Sequence, residues 1–286
     1  MIRNIILLYI LLLSVTAMSA QEYNFGVRAG QNYSTLRGEN ETGEDKGFSG
    51  GFHFGINFYY NFTDNFSLRT ELMYIQNGFS QEYNGESHYL IRKFNGGLVV
   101  EKGDTEFQLD NSNGYFGIPI TGHYRLNRRW EVFGGGYLNF LISPTGAGTI
   151  SFTSIDNPDE IFFRQSLDYQ YYGDEAGEII ATGTRPLLIR VEGDIEQIPK
   201  VVGAYYQYLE KNGNAFKSID IGLSAGVSYY LNRGFYISLK ADYGFLDVTN
   251  NRMDRSFTEI NVDNSFKLRD DKDTHLGINV SFGFKF

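Results

Sequence analysis

Large apolar residues recur at every second position along much of this chain. In the last stretch Leu276, Ile278, Val280, Phe282, Phe284 and Phe286 alternate with Gly277, Asn279, Ser281, Gly283 and Lys285. Over 48–62, Phe48, Phe52, Phe54, Ile56, Phe58, Tyr60 and Phe62 share one face, and His53, Gly55, Asn57, Tyr59 and Asn61 take the other. The same period runs through Ile219–Leu231, Phe235–Phe245 and Phe116–Leu126. A period of two over such lengths predicts strands with one continuous apolar face. The stretch from Phe66 follows the rule less cleanly, because Met73 and Ile75 fall on its polar face.

The pattern predicts eight strands, at roughly 22–36, 48–62, 66–80, 114–127, 130–142, 218–231, 235–249 and 274–286. Three connections are tight (63–65, 128–129 and 232–234), and they alternate with long ones at 37–47, 81–113, 143–217 and 250–273. Strict alternation of short and long fits a meander with all tight turns at one end. The expected fold is therefore all-β: an eight-stranded antiparallel up-and-down transmembrane β-barrel with long extracellular loops.

A soluble barrel has the same period with its apolar face inward. Three features place the apolar face outward here. The other face is rich in Gly, Ser and Asn, which suit the crowded interior of a small barrel. It also carries candidates for internal ion pairs: Arg28, Arg69, Glu71, Arg125, Glu131, Asp220, Lys240 and Asp242. Aromatics gather beside the tight turns, at Tyr59, Tyr60, Phe62, Phe66, Trp130, Tyr229, Tyr230, Phe235 and Tyr236, as a girdle at a membrane interface would. Outer-membrane lipid is thus an expected partner. The mean hydropathy of −0.31 reads as that of a soluble protein; a barrel hides its membrane surface from such an average.

The N-terminus adds a route. Arg3 precedes an apolar run that ends in small residues before Gln21, which reads as a secretory signal peptide over 1–20, with the barrel domain over 21–286. The run is short of the roughly 20 residues a spanning helix needs. Absence of cysteine excludes disulfides and thiolate chemistry, and a net charge of −9 argues against nucleic acid as a partner.

The segments "YFGIPITGHYRL", "EVFGGGYLNFLI" and "IDIGLSAGVSYYLNRGFYISLKADYGFLDVTN" resemble the PorT-like outer-membrane β-barrel family. Ile118-Pro119 and Tyr243-Gly244-Phe245 stand at that family's Ile-Pro and Tyr-Gly-Leu positions, with Phe245 where Leu is commoner. The resemblance implies an outer-membrane barrel of a Gram-negative cell envelope. The family's namesake takes part in protein secretion, but no motif here singles out that role. Phe286 resembles the terminal aromatic by which the barrel-assembly machinery recognises its substrates, which implies that machinery as a partner during biogenesis.

His53 and His275 are expected to face the lumen as polar residues of a hydrogen-bonded network. No Ser-His-Asp spacing stands out, "GGG" at 134–136 lacks a phosphate-loop context, and "RDDKD" at 269–273 lacks the spacing of an EF-hand. No cofactor or metal is expected. The segment 143–217 is an expected external loop with a short amphipathic helix, whose stripe of Ile198, Val201, Val202, Tyr205, Tyr206 and Leu209 is a candidate surface for a protein partner. The functional expectation is a non-enzymatic membrane scaffold, surface-binding protein or secretion accessory. The alternative is an outer-membrane hydrolase with a site at the external barrel rim.

Overall fold

In a computed structural model the described residues are 23–93, 97–180 and 183–286. The signal segment lies outside them. The described chain is all strand and turn, without a helix. In order the strands are β1 (Tyr23–Arg37), β2 (Glu44–Asn61), β3 (Phe66–Arg92), β4 (Leu98–Arg125), β5 (Trp130–Ser154), β6 (Phe162–Gln170), β7 (Leu187–Val191), β8 (Asp194–Ile198), β9 (Val201–Val202), β10 (Ile219–Tyr230), β11 (Phe235–Gly244), β12 (Arg255–Ile260), β13 (Phe266–Leu268) and β14 (Thr274–Lys285).

Antiparallel ladders run in the order β10-β11-β14-β1-β2-β3-β4-β5, and β5 pairs in turn with β10. The hydrogen-bonded succession thus returns on itself through eight strands. The first and last of these in sequence meet along their length, from Gly26↔Lys285 to Arg37↔Thr274. The chain terminus is held there too: Phe286 N donates to Phe25 O, and Asn24 Nδ2 donates to Phe286 O.

The three predicted tight turns share one construction. Phe62 N donates to Phe66 O, Leu126 N to Trp130 O, and Leu231 N to Phe235 O. In each, a side-chain oxygen on the next residue (Thr63, Asn127 or Asn232) accepts two turn amides. Such side chains mimic a backbone turn and fix the short connection. All three lie at one end of the ring.

At the other end β3, β4 and β5 run on as strand, which corrects two expectations. Within 81–113, expected as a loop, residues 81–92 and 98–113 are the long continuation of β3 and β4. The segment 143–217 begins as the continuation of β5 and pairs with β6. The switch occurs at a β-bulge, because Tyr115 faces Leu141 and Gly114 faces Ser143, leaving Ile142 as the extra residue. Before the bulge β5 pairs with β10; after it, with β6. β3 and β4, 27 and 28 residues long, exceed the roughly 9–11 residues needed to cross a bilayer.

Polarity inverts along these strands while the direction of each side chain keeps its alternation. On β4 the outward residues near the turns are Phe116, Ile120 and Tyr124, and farther along they are Lys102, Asp104, Glu106 and Asp110. The inward residues change the opposite way, from Thr121 and His123 to Phe107 and Leu109. β3 does the same, from Leu68 and Leu72 outside to Glu82 and Glu86 outside. The ring is therefore apolar outside and polar inside. The extension is polar outside and apolar inside.

The extension has its own core. Tyr83, Tyr89, Phe107, Leu109, Ile150 and Phe152 form its inner face, and residues of the later connections cover them. Tyr83 stacks on Phe257 at 4.1 Å, and Tyr89 meets Phe163 edge-on at 4.8 Å. The β7–β8 hairpin turns through Glu192 and Gly193, both at positive φ (52° and 90°), the conformation a tight two-residue hairpin turn requires. One hairpin face enters this core through Ile189, Val191 and Ile198; the other presents Leu188 and Ile195 to solvent.

Candidate functional site

Inside the ring, small residues on one strand make room for large ones on the next. A Cβ on Gly283 would lie 2.2 Å from the Tyr236 ring, and one on Gly226 would lie 2.5 Å from the Phe133 ring. The space is filled by charged, aromatic and amide side chains. Arg28 Nε and Arg69 Nε each lie 3.3 Å from Glu71 Oε1, and Lys240 Nζ lies 2.8 Å from Asp242 Oδ2. Ser224 Oγ and Asn279 Nδ2 donate to Asp242 as well. Met73 and Ile75, the two residues that broke the pattern on β3, point into this interior and are buried. Three members of the expected girdle also turn inward: Tyr59, Tyr230 and Tyr236 are buried, while Phe62, Phe66 and Trp130 remain exposed outside. A strand that alternates sides must send one of two neighbouring aromatics in.

Two imidazoles complete hydroxyl–histidine–acceptor chains that the sequence order concealed. His53 Nε2 is 2.7 Å from Ser281 Oγ, and its Nδ1 is 2.5 Å from Asn32 Oδ1. His123 Nε2 is 2.9 Å from Thr121 Oγ1, and its Nδ1 is 2.7 Å from Glu131 Oε1. This is the contact order of an activated nucleophile. However, Ser281 is 0% exposed and Thr121 1%, so neither hydroxyl meets a surface from which a substrate could approach. What the arrangement does in this state is satisfy buried polar groups. His275 Nδ1 lies 3.6 Å from Asp220 Oδ2. His53 and His275 both point inward but do not converge. They sit beside Gly30 and Leu36 of β1, six positions or roughly 20 Å apart along the strand.

The expected helix over the 194–213 region is absent. Asp194–Ile198 is β8, Val201–Val202 is β9, and a turn follows. The apolar run is too rich in β-branched residues and too interrupted by Pro199 and Gly203 for a helix to outcompete strand pairing. Ile198, Val202, Tyr205 and Tyr206 are buried, Val201 is half-buried, and only Leu209 is exposed. The stripe is thus largely internal core. Tyr205 Oη accepts from Ala215 N and donates to Tyr171 O, and Arg92 Nη2 donates to Tyr208 O at 2.6 Å. Beside it is a cavity of about 40 Å³, lined by Phe107, Tyr169, Tyr171, Tyr208 and Arg255 among others. That volume holds one or two waters and no metabolite.

The exposed surface of the extension holds what the sequence reading missed. Leu188, Arg190, Ile195 and Gln197 share the outer face of the β7–β8 hairpin, with Leu188 65% and Ile195 66% exposed. The signal for the sheet extension that carries this hairpin was the stretch "TEFQLD", where Phe107 and Leu109 alternate with Glu106, Gln108 and Asp110. It keeps a period of two inside a region assigned to a loop.

A known family described as outer membrane protein beta-barrel domain matches residues 19–250. No curated protein matches. Among solved structures the chain is similar to Ail, the attachment invasion locus protein of Yersinia pestis, at 11% identity and TM-score 0.35, covering 93% of this chain and 99% of that one. It is also similar to the outer membrane protein OprG from Pseudomonas aeruginosa, at 12% identity and TM-score 0.36, covering 93% and 96%, and to the outer membrane protease OmpT from Escherichia coli, at 8% identity and TM-score 0.29, covering 94% and 97%.

Proposed function

Because this chain belongs to the outer membrane protein beta-barrel domain family, we propose that its eight-strand ring is a closed transmembrane barrel carrying a folded sheet extension outside the cell. In this reading the tight turns face the periplasm. The ring's apolar exterior meets lipid, and the extension stands in water. The observation that carries the reading is the inversion of polarity within single strands. A lipid-facing strand must be apolar outside, whereas a water-facing one must hide its apolar side chains within.

The protein's work is then non-enzymatic and is done by the external surface, as scaffold, surface-binding protein or accessory of secretion. The β7–β8 hairpin is the contact region for a protein partner. Its inner face is fixed in the core while Leu188 and Ile195 stay in solvent, so it offers an apolar contact at little ordering cost. Hydrolysis at the external rim gains no support from the two imidazole chains, whose hydroxyls are sealed inside the ring.

Fractionation and surface proteolysis test the reading together. The protein should sediment with outer membranes and migrate differently in unheated and boiled gel samples. Protease on intact cells should cut within 155–268. Crosslinking in those cells should capture a partner that Leu188→Glu/Ile195→Glu loses. A soluble protein without heat-modifiability would refute the barrel; acyl-lipid or peptide hydrolysis by purified protein would refute the non-enzymatic role.

A further inference from the structure

The connection between β11 and β14 brings three carboxylates together at the foot of the extension. Asp254, Asp271 and Asp273 each offer an oxygen, and these oxygens lie within 4.8 Å of one another. Asp254 and Asp273 are buried, and the side chain of Asp271 is 4% exposed. Neither oxygen of the Asp271 carboxylate has a hydrogen-bond donor. Its nearest cation, Arg269, is 3.9 Å away and is engaged at 3.0 Å by Glu44. A buried carboxylate without a donor costs several kcal/mol unless something positive reaches it.

The surrounding charges do not balance. Lys46 Nζ binds Asp273 Oδ1 at 2.7 Å, and Arg269 pairs with Glu44. Asp247, which accepts from the amide of Asp273, has Lys217 as its own partner. Four carboxylates (Glu44, Asp254, Asp271 and Asp273) therefore face two cations (Lys46 and Arg269), which leaves two negative charges. Thr249 Oγ1, 3.2 Å from Asp273 Oδ2, adds one further oxygen.

We propose that Asp254, Asp271 and Asp273 bind a hard divalent cation, with calcium as the best fit. The donors are all oxygen. Two oxygens on one calcium, each at about 2.3–2.6 Å, are at most about 5 Å apart, which matches the spacing here. The ion would neutralise the residual charge. It would also fasten the connection to itself, tying the residue before β12 to the residues before β14, and so hold Phe257 over the core of the extension. The site does not depend on the membrane reading, since it would exist in a soluble protein of this fold.

Calcium titration of the chelator-treated, detergent-purified full-length protein tests this, read by calorimetry and by proteolysis of 250–272. One calcium per chain should bind at sub-millimolar to millimolar concentration, and the segment should become protected. Asp271→Asn should weaken binding by at least about tenfold, while Asp263→Asn, at an exposed position of the same hairpin, should leave it unchanged. Asp254→Asn is a second variant, and gel heat-modifiability reports whether each ring has assembled. Absence of calcium-dependent heat and protection in the unaltered protein would overturn the proposal whatever the variants do. So would Asp271→Asn binding calcium as tightly as the parent. Protection produced equally by acidification and by calcium, with no calcium heat, would identify a shared proton and reject the ion.

Discussion

Arg28 and Glu71, on β1 and β3, meet across the ring interior with Nε 3.3 Å from Oε1, and both side chains are 1% exposed. Arg69 approaches the same oxygen at the same distance. One carboxylate thus bridges two guanidiniums within a buried space. Glu71→Gln keeps the shape and removes the charge. It should destabilise the ring by about 3–5 kcal/mol, the range for breaking a buried ion pair from one side. The check is the temperature at which the unheated gel form converts to the boiled form, which should fall clearly below that of the parent.

Phe152 lies on the inner face of the extension, 1% exposed, against Tyr89 and Phe163. Phe152→Ala should cost about 3–5 kcal/mol by cavity formation. Because the ring and the extension have separate cores, the damage should stay local. Hydrogen exchange should quicken across 83–92, 98–109 and 150–167 while heat-modifiability persists. Simultaneous loss of both would mean that the two halves fold as one unit.

The place where the membrane ends can be found with arginine. Val280 and Glu106 both point outward, one on the ring and one on the extension. Val280→Arg should lose about 2–4 kcal/mol, as charges do on a lipid-facing strand near the midplane. Glu106→Arg should stay within about 0.5 kcal/mol, as surface changes in water do. Equilibrium unfolding in lipid vesicles measures both.

The sequence was most legible where membrane and alternation coincide. The predicted strands stop near Ser80, Gly114 and Ile142. At those points the apolar side chains move from the outer face to the inner, or a bulge shifts the alternation by one residue. An apolar outer face gives long unbroken alternation. The extension buries its apolar face instead, spaces its aromatics more widely, and interleaves them with Gly85, Gly103 and Gly148, so it reads as a loop. The helical spacing misleads for a related reason: Ile198, Val202 and Tyr206 enter the core of the extension and Tyr205 a second cluster with Met73 and Phe216, from two short strands and a turn, and their spacing imitates 3.6 by accident. The His53 chain was not legible at all. Ser281 and His53 are brought together by closure of first strand on last, which joins residues 228 positions apart.

Glu41 gives the extension a pH dependence. Burial raises its pKa, but Ser256 Oγ, Phe257 N and Thr258 Oγ1, at 2.6, 2.7 and 2.8 Å, all donate to it and hold it below its ordinary 4.5. A carboxyl with a lowered folded pKa stabilises above its unfolded value and loses that contribution as pH falls through the folded one. The attachment of β12 to the β1–β2 connection should therefore be complete above about pH 4.5 and loosen below it. Proteolysis at 255–268 by an acid-active protease should accelerate over that window, and Glu41→Gln should flatten the response.

Leu223 and Ser224 are neighbours on β10, 54% and 3% exposed, and they decide which side of the ring meets lipid. Single fluorophores at 223 and at 224, in protein reconstituted with lipids that carry quenchers on their acyl chains, report this directly. The label at 223 should be strongly quenched and the label at 224 protected. Quenching at 224 with protection at 223, or no quenching at either, would contradict a barrel that spans the membrane with its apolar face outward.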